Sequence, residues 1–586
     1  MSMISGNTNQ NEYFPITRIP SVNSKEKINA MKTSRRKFFQ TAAAGSAGLT
    51  LSAVPFALSA NPAMAADTDD QQLFVGDDIA IAQTQYGKVQ GFILRGIFNF
   101  RGIPYGADTS GKNRFMPPRP PKPWDNTLPT VWWGNTAPQI MDNRYSNAWS
   151  SFVDHWNYDD VSEDCLKLNI WTPATDTKKR PVLVWLHGGG YTNGNGIEQD
   201  GYDGENLSRK GNIVFVSINH RLGPIGFSDL SAVGGSKYAD SGNVGALDMV
   251  AALEWVRDNI ANFGGDPGNV TIMGQSGGGA KVCVLTAMPK AKGLFHKAVP
   301  LSGSTIKAMD KNYSAKIGGY ILKEAGLTES EVDKLQEMPW KDYLLLANKA
   351  AQKAAAEIGT PGMRGGFAPV ADGRNITEGQ FYAEPNGLSA NIPMLICTTF
   401  HEWGMARTMP EMEKITREKA IEMLTQRAGM GGGLGDKAAA VYDGYAKVFT
   451  DAKPIEIMTL VSSSRKGVID TANAKATQNA PVYLAWFGWE PPLFNNRMRA
   501  FHCLDICFWF ANTDLMLTHT GGGKRPRVLA EKMSGALLQF MKTGDPNGGG
   551  LPNWKAYTPA NGETMMLHDK PELKNDPDRE ARKLLS

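Results

Sequence analysis

The chain runs to 586 residues, 41% of them hydrophobic and 20% charged, so it can bury a large core, and length alone would allow two or more domains. Formal net charge is +4, but residues 1–65 hold seven basic residues against two acidic ones, which leaves the remainder near −1. The basic balance therefore belongs to the N-terminal segment, and nothing points to a nucleic-acid partner.

That segment reads Ser34-Arg35-Arg36-Lys37-Phe38-Phe39, then an uncharged run from Thr41 to Ala60, then Ala63-Met64-Ala65. It resembles a twin-arginine export signal, with cleavage expected after Ala65 and the rest of the chain, 66–586, forming one domain. The implied partner is the twin-arginine export machinery, and the implied location is periplasmic or secreted, in a bacterium. A membrane anchor is the rival reading; the Gly, Ser, Thr and Pro55 within the run favour cleavage. Met31 could open the signal by itself, so residues 1–30 are an upstream start or a long leader.

From Ile79 to Gly91 apolar and polar residues alternate around Gly87, which predicts a hairpin. The Pro-rich stretch Phe115 to Trp124 can be neither helix nor central strand. Trp124, Trp132, Trp133, Tyr145, Trp149, Phe152 and Trp156 follow closely, and they either bury against the domain or line an apolar cleft. Ser162 to Trp171 alternates like a strand. Pro181 to Leu186 is a short apolar run of buried-strand type that delivers His187-Gly188-Gly189-Gly190, where a glycine triplet lets backbone amides approach a ligand. The bland alternative is a flexible loop.

Ile213 to Ile218 predicts another buried strand. Asn243 to Asn259 has helical periodicity, with Leu247, Val250, Ala251 and Trp255 inward and Asp248 and Arg257 outward, and Gly264 to Gly268 ends it. Val270 to Met273 then reads as a strand and Ala280 to Met288 as a packed helix, so Gly274-Gln275-Ser276-Gly277-Gly278 falls on a tight strand-to-helix turn. Such a turn strains the Ser and leaves no room for Cβ atoms two positions either side, where Gly274 and Gly278 stand. Ser276 Oγ would be exposed at the carboxyl end of a sheet, with helix N-terminal amides ready for a developing oxyanion. By itself the pattern is short, and a glycine-rich turn is the plain alternative.

Ala298 to Leu301 is the next strand. Thr305 to about Asn391 reads as an inserted helical region, and Pro393 to Thr399 as a strand ending at His401-Glu402-Trp403-Gly404. A glycine-rich loop at 429–435 lies between helical stretches and does not read as a nucleotide loop. Val482 to Trp489 predicts a strand, Arg499 to His502 precedes an apolar segment Leu504 to Phe510, and Leu529 to Met541 reads as a closing amphipathic helix. Strands alternating with helices imply a mostly parallel sheet covered on both faces. The five cysteines, Cys165, Cys283, Cys397, Cys503 and Cys507, give neither a disulfide framework nor zinc spacing and read as packed thiols; the eight His form no metal motif, so no metal and no cofactor are expected.

Several segments, in order, resemble the type-B carboxylesterase/lipase family, which includes para-nitrobenzyl esterases and cholinesterases: FRGIPYG (100–106), SEDCLKLNIW (162–171), HGGG (187–190), NHRLGPIGF (219–227), the run from 242 to 279, and AFHCLDICFWF (500–510). The resemblance implies an α/β-hydrolase fold, with Ser276 as nucleophile, Glu402 as acid and His502 as base. It implies an oxyanion hole from the amides of Gly189, Gly190 and Gly277, and a supporting role for Ser302. Many members have Glu and Ala where this chain has Gln275 and Gly277. Losing that negative charge argues for neutral aryl or short-chain alkyl esters over choline esters. The family often bridges the Cys of SEDCL to an upstream Cys, but none precedes Cys165. Two classes of function remain at this stage: a serine ester hydrolase, with lipase, lactonase and amidase as variants, and a silent binding module of cholinesterase type. Retention of Ser276, Glu402 and His502 argues against the second.

Overall fold

A computed structural model describes residues 71–140, 160–359, 366–383, 387–402, 409–426 and 432–585. The export-signal reading, the aromatics from Tyr145 to Trp156, and Trp403-Gly404 lie outside them. The described strands are β1 (Leu73–Phe74), β2 (Ile81–Thr84), β3 (Gly87–Gln90), β4 (Phe92–Leu94), β5 (Ile97–Pro104), β6 (Leu128–Pro129), β7 (Lys167–Thr172), β8 (Arg180–Leu186), β9 (Val214–Ile218), β10 (Gly265–Gln275), β11 (Lys297–Leu301), β12 (Met394–Thr399), β13 (Val482–Phe487), β14 (Glu563–Leu567) and β15 (Glu572–Asn575). Among the described residues, twelve form one sheet in the order β1-β4-β5-β7-β9-β8-β10-β11-β12-β13-β14-β15, and β2, β3 and β6 form a small second one. The run from β9 to β14 is parallel throughout, with antiparallel strands at both edges.

The parallel strands read as unbroken apolar runs because each of their faces is covered. In β8, Val182, Val184 and Leu186 enter one core, shared with Leu247, Val250 and Leu253 of the helix Val244–Asn259. Leu183 and Trp185 enter the other, shared with Met533, Leu537 and Phe540 of the helix Lys524–Thr543. The same alternation runs through β12 and β13, where Met394, Ile396, Val482 and Leu484 face the first core and Leu395, Cys397, Tyr483 and Ala485 the second. The layers are therefore helix, sheet, helix, the α/β-hydrolase arrangement.

Three regions differ from the sequence reading at this level. Residues 162–166 do not extend β7, which starts at Lys167. The Gly264–Gly268 turn is not a spacer before β10: the strand begins at Gly265, pairs there with Arg180, and loses register before resuming at Val270. In the insert, helices run from Lys311–Ala325 to Trp340–Ile358, while Phe367 to Phe381 packs without one.

Asp248 is not on the outer helix face but fully buried, because Arg221 from the loop after β9 travels in with it. The guanidinium donates to both carboxylate oxygens, at 2.8 Å from Nε and 2.6 Å from Nη2, and the Arg221 amide adds a third bond at 3.0 Å. Both side chains are 0% exposed, so removing one partner strands a charge in the core. Asp248→Asn is expected to destabilise the fold by about 3–5 kcal/mol, read as a lower chemical-denaturation midpoint; a midpoint unchanged from the parent would contradict this.

The topology places the functional face. From β8 the chain moves to β9 on one side, and from β10 it moves to β11 on the other, while β8 and β10 are neighbours. Their carboxyl ends therefore border the crevice at the switch in strand order, where open α/β sheets bind ligands. His187–Gly190 leaves β8 there, and Ser276 leaves β10 there.

Candidate active site

Ser276 joins β10 to the helix Gly277–Leu285 with φ 58° and ψ −123°, a conformation that persists only where the surroundings over-determine it. They do so here through backbone. The Ser276 amide donates to the Leu301 carbonyl at 2.8 Å, and its own carbonyl accepts from Ala280 at 3.1 Å. A Cβ at Gly278 would stand 2.0 Å from the Leu186 carbonyl oxygen, and one at Gly274 would stand 2.5 Å from the Gly278 carbonyl carbon. The elbow closes only with glycine at both places.

The turn after β8 closes against this elbow. Gly189 and Gly190 have φ of 79° and 66°, and the Gly189 carbonyl accepts from the amides of Asn193 at 3.0 Å and Thr192 at 3.3 Å. Gly190 packs so closely on Gly277 that a Cβ there would lie 2.1 Å from the Gly190 oxygen. The departure from Ala to Gly at 277 is therefore matched by the path of this loop. The helix Gly277–Leu285 begins at the glycine triplet itself, three residues before the sequence reading placed it, which brings the Gly277 amide to the first turn beside Gly189 and Gly190.

Glu402 and His502, a hundred residues apart, are zipped together by backbone beyond β12 and β13. The His502 amide donates to the Glu402 carbonyl at 2.7 Å, the His401 amide to Ala500 at 3.1 Å, and Glu402 bridges Phe501. On that frame the Glu402 carboxylate is fully enclosed, with Oε2 hydrogen-bonded to His502 Nδ1 and Oε1 accepting from Thr398 Oγ1 and, at 3.2 Å, from the Thr399 amide. Burial pushes the Glu402 pKa up, but His502, Thr398 and Ser302 outweigh it and hold the carboxyl below its usual value. Burial likewise disfavours the His502 imidazolium, yet Cys503 and Glu402 beside it overcome this and hold its pKa well above the usual histidine value.

Gln275 lies against the same imidazole, its amide nitrogen 3.2 and 3.3 Å from the two ring nitrogens, and its oxygen accepts from the Cys503 thiol at 3.2 Å. Ser302, at the end of β11, has its hydroxyl buried beside Glu402. Ser276, Ser302, Glu402 and Cys503 all have positive φ, so four strained backbone positions meet at this site.

The residues singled out from the sequence thus converge around the β8–β10 crevice. Sequence reasoning missed others. Thr398 looked like an ordinary strand residue. Cys503 was read as a packed thiol, but its contacts with Gln275 and His502 make it part of the cluster, which its place beside His502 could have signalled; Cys507 is packed. Asp505, three residues after His502, is fully buried, with a pKa pushed up to about 7 by burial and by the nearby Glu402 charge. The aromatics after the Pro-rich loop divide: Trp124 donates to the Lys88 carbonyl, Trp133 packs on Trp171, and Trp132 is exposed. Among the described residues no group of three or more His, Cys, Asp or Glu could hold a metal ion, and no helix is long and apolar enough to cross a membrane.

Comparison with known proteins agrees with this fold. The family model described as the carboxylesterase family matches residues 78–584. Para-nitrobenzyl esterase of Bacillus subtilis is 35% identical over 513 residues, covering 86% of this chain and 98% of that protein. Phenmedipham hydrolase of Pseudarthrobacter oxydans is 30% identical over 500 residues, covering 84% and 95%. Among solved structures, a Clostridium hathewayi esterase described as able to hydrolyse aliphatic aromatic polyesters superposes with a TM-score of 0.74 at 32% identity, covering 88% of this chain and 99% of that one. The Geobacillus stearothermophilus carboxylesterase EST55 gives 0.71 at 33%, covering 86% and 100%.

Proposed function

The chain belongs to the carboxylesterase family and is a carboxylic ester hydrolase; from that premise we propose that it is a secreted enzyme cleaving neutral aryl or short-chain alkyl esters through Ser276, His502 and Glu402. His502 takes the Oγ proton as Ser276 attacks the ester carbonyl, and then returns it to the leaving alcohol. Glu402 orients the imidazole and stabilises its cation without accepting the proton. The amides of Gly189, Gly190 and Gly277 hold the oxyanion. Water activated by the same imidazole attacks the acyl-enzyme and frees the acid.

The observation that carries this reading is the enclosed Glu402–His502 hydrogen bond on a backbone frame beside the strained Ser276 elbow. The neutral-ester preference is supported by Gln275, a neutral amide against His502 where many relatives carry a carboxylate. The names of the relatives, with para-nitrobenzyl and aliphatic aromatic polyester substrates, support aryl-containing esters. Export rests on the Arg35-Arg36 segment alone, and N-terminal sequencing of exported protein should begin at Ala66.

A fluorophosphonate probe is expected to form one covalent adduct at Ser276. In a panel varying acyl length and alcohol size, a choline ester should be cleaved no faster than its neutral isostere. Labelling elsewhere would remove Ser276 as nucleophile, and a tenfold preference for choline would remove the neutral-ester reading. The same panel separates lipase, lactonase and amidase behaviour.

A further inference from the structure

Lys281 is 0% exposed, which is costly for a side chain that serves packing alone, since Met or Leu fills the same space without a polar head. It sits on the helix that follows Ser276, and its Nζ donates to the His187 carbonyl at 2.9 Å. That carbonyl belongs to the peptide that opens the glycine turn. The other end of the same peptide, the Gly188 amide, faces the Tyr202 hydroxyl, which donates to Glu198 Oε1 at 2.9 Å. Tyr202 and Glu198 are each 1% exposed. Glu198 also supplies the charge that favours a proton on Lys281, against burial, which pushes the lysine pKa down to about 7. The His220 ring, stacked on that of His187 at 5.1 Å, lies near enough to the amine to feel its charge.

A run of three glycines has no side chain with which to hold its own peptide planes. The Asn193 and Thr192 amides hold the Gly189 carbonyl from within the turn, but the His187–Gly188 peptide that opens it is held from outside, by the Lys281 hydrogen bond at its carbonyl and the facing Tyr202 hydroxyl at its amide. We infer that Lys281, backed by Glu198 and Tyr202, is a positioning group for this turn: it fixes that peptide plane so that the Gly189 and Gly190 amides stay aimed at the reacting carbonyl. The inference rests on the oxyanion reading of Gly189 and Gly190 given above, and adds to it the buried residues that set their aim.

The test compares an aryl trifluoromethyl ketone, to whose carbonyl carbon Ser276 Oγ adds with the proton passing to His502, against a neutral aryl ester. The adduct carries an oxyanion and reports the hole directly. In Lys281→Met, with active sites counted by end-point fluorophosphonate titration, kcat should fall about 10- to 100-fold and the ketone Ki rise by a similar factor, with KM nearly unchanged. A merely structural role would reduce the titratable sites and leave Ki relative to KM untouched. If Lys281→Met does not fold, Tyr202→Phe, which keeps the ring, should still raise Ki relative to KM several-fold. An unaltered ratio in a titratable variant overturns the positioning role. Ser276→Ala, assayed alongside, separates the two readings: turnover there near the parent rate would mean that the reaction does not run at this site and overturns the oxyanion reading with it, whereas a Ser276→Ala reduced to the residual rate, with unaltered ketone binding in Lys281→Met, overturns only the role of the lysine.

Discussion

Replacing His502 by alanine is expected to lower kcat for a neutral aryl ester by about 10⁶-fold. Without the imidazole, Ser276 keeps its proton at neutral pH, and nothing within the cluster can replace it. Gln275 is the side chain whose amide already touches the ring, but an amide nitrogen donates and does not accept. Asp505 has a pKa near 7 but is enclosed, with its Oδ2 held by Trp509 Nε1 at 3.3 Å. Glu402 would be left as a buried carboxylate without its counter-charge, so its pKa should rise and it should protonate in place. The residue that remains over the uncatalysed rate should come from the Gly189, Gly190 and Gly277 amides, and amount to about 10³–10⁴. The check is a stopped assay at high enzyme concentration, with a fluorophosphonate titration to exclude traces of parent enzyme. A loss smaller than about 10²-fold would mean that the proton goes elsewhere.

How far this site could be read from the sequence depended on the kind of constraint each residue answers to. The elbow was legible because its requirement is steric and local: Gly274 and Gly278 are needed where a Cβ would meet the backbone at 2.5 and 2.0 Å, and the spacing of glycines around Ser276 states that directly. The strands β8, β9, β12 and β13 were legible as apolar runs because both their faces are buried. The strand β15, exposed at the sheet edge, carries no such run, and β4, Phe92-Ile93-Leu94, is only three residues long; both went unread. Pairing between distant segments was not legible at all. Glu402 meets His502 through loop backbone a hundred residues apart, and only family resemblance linked them. Asp248 was misplaced for the same reason, since its counter-ion lies in another segment. Lys281 went unread because a lysine in a helix looks like a solvated face until the carbonyl it holds is seen.

Glu402→Gln is expected to reduce kcat/KM by about 10⁴-fold while also moving its pH dependence. In the parent enzyme the base must be neutral to take the Ser276 proton. The His502 pKa is held well above its usual value, so kcat/KM should rise with pH through an ionisation higher than that of a free histidine. With its Oε1 toward Thr398 Oγ1 and the Thr399 amide, where the carboxylate oxygen stands, the glutamine presents an N–H toward His502 Nδ1. The N–H favours the wrong tautomer, with the proton on Nε2 facing the nucleophile, which accounts for the loss at high pH. Removing the counter-charge destabilises the imidazolium, so the His502 pKa should fall and the acid limb of kcat/KM should shift to lower pH. The two effects have separate origins and opposite visibility: the plateau drops because the tautomer is wrong, and the limb moves because the cation is less favoured. A variant that merely loosened the loops joining Glu402 to Phe501 would lower the plateau and leave the limb where it was, and that profile would argue against Glu402 as the group that fixes the charge and tautomer of His502.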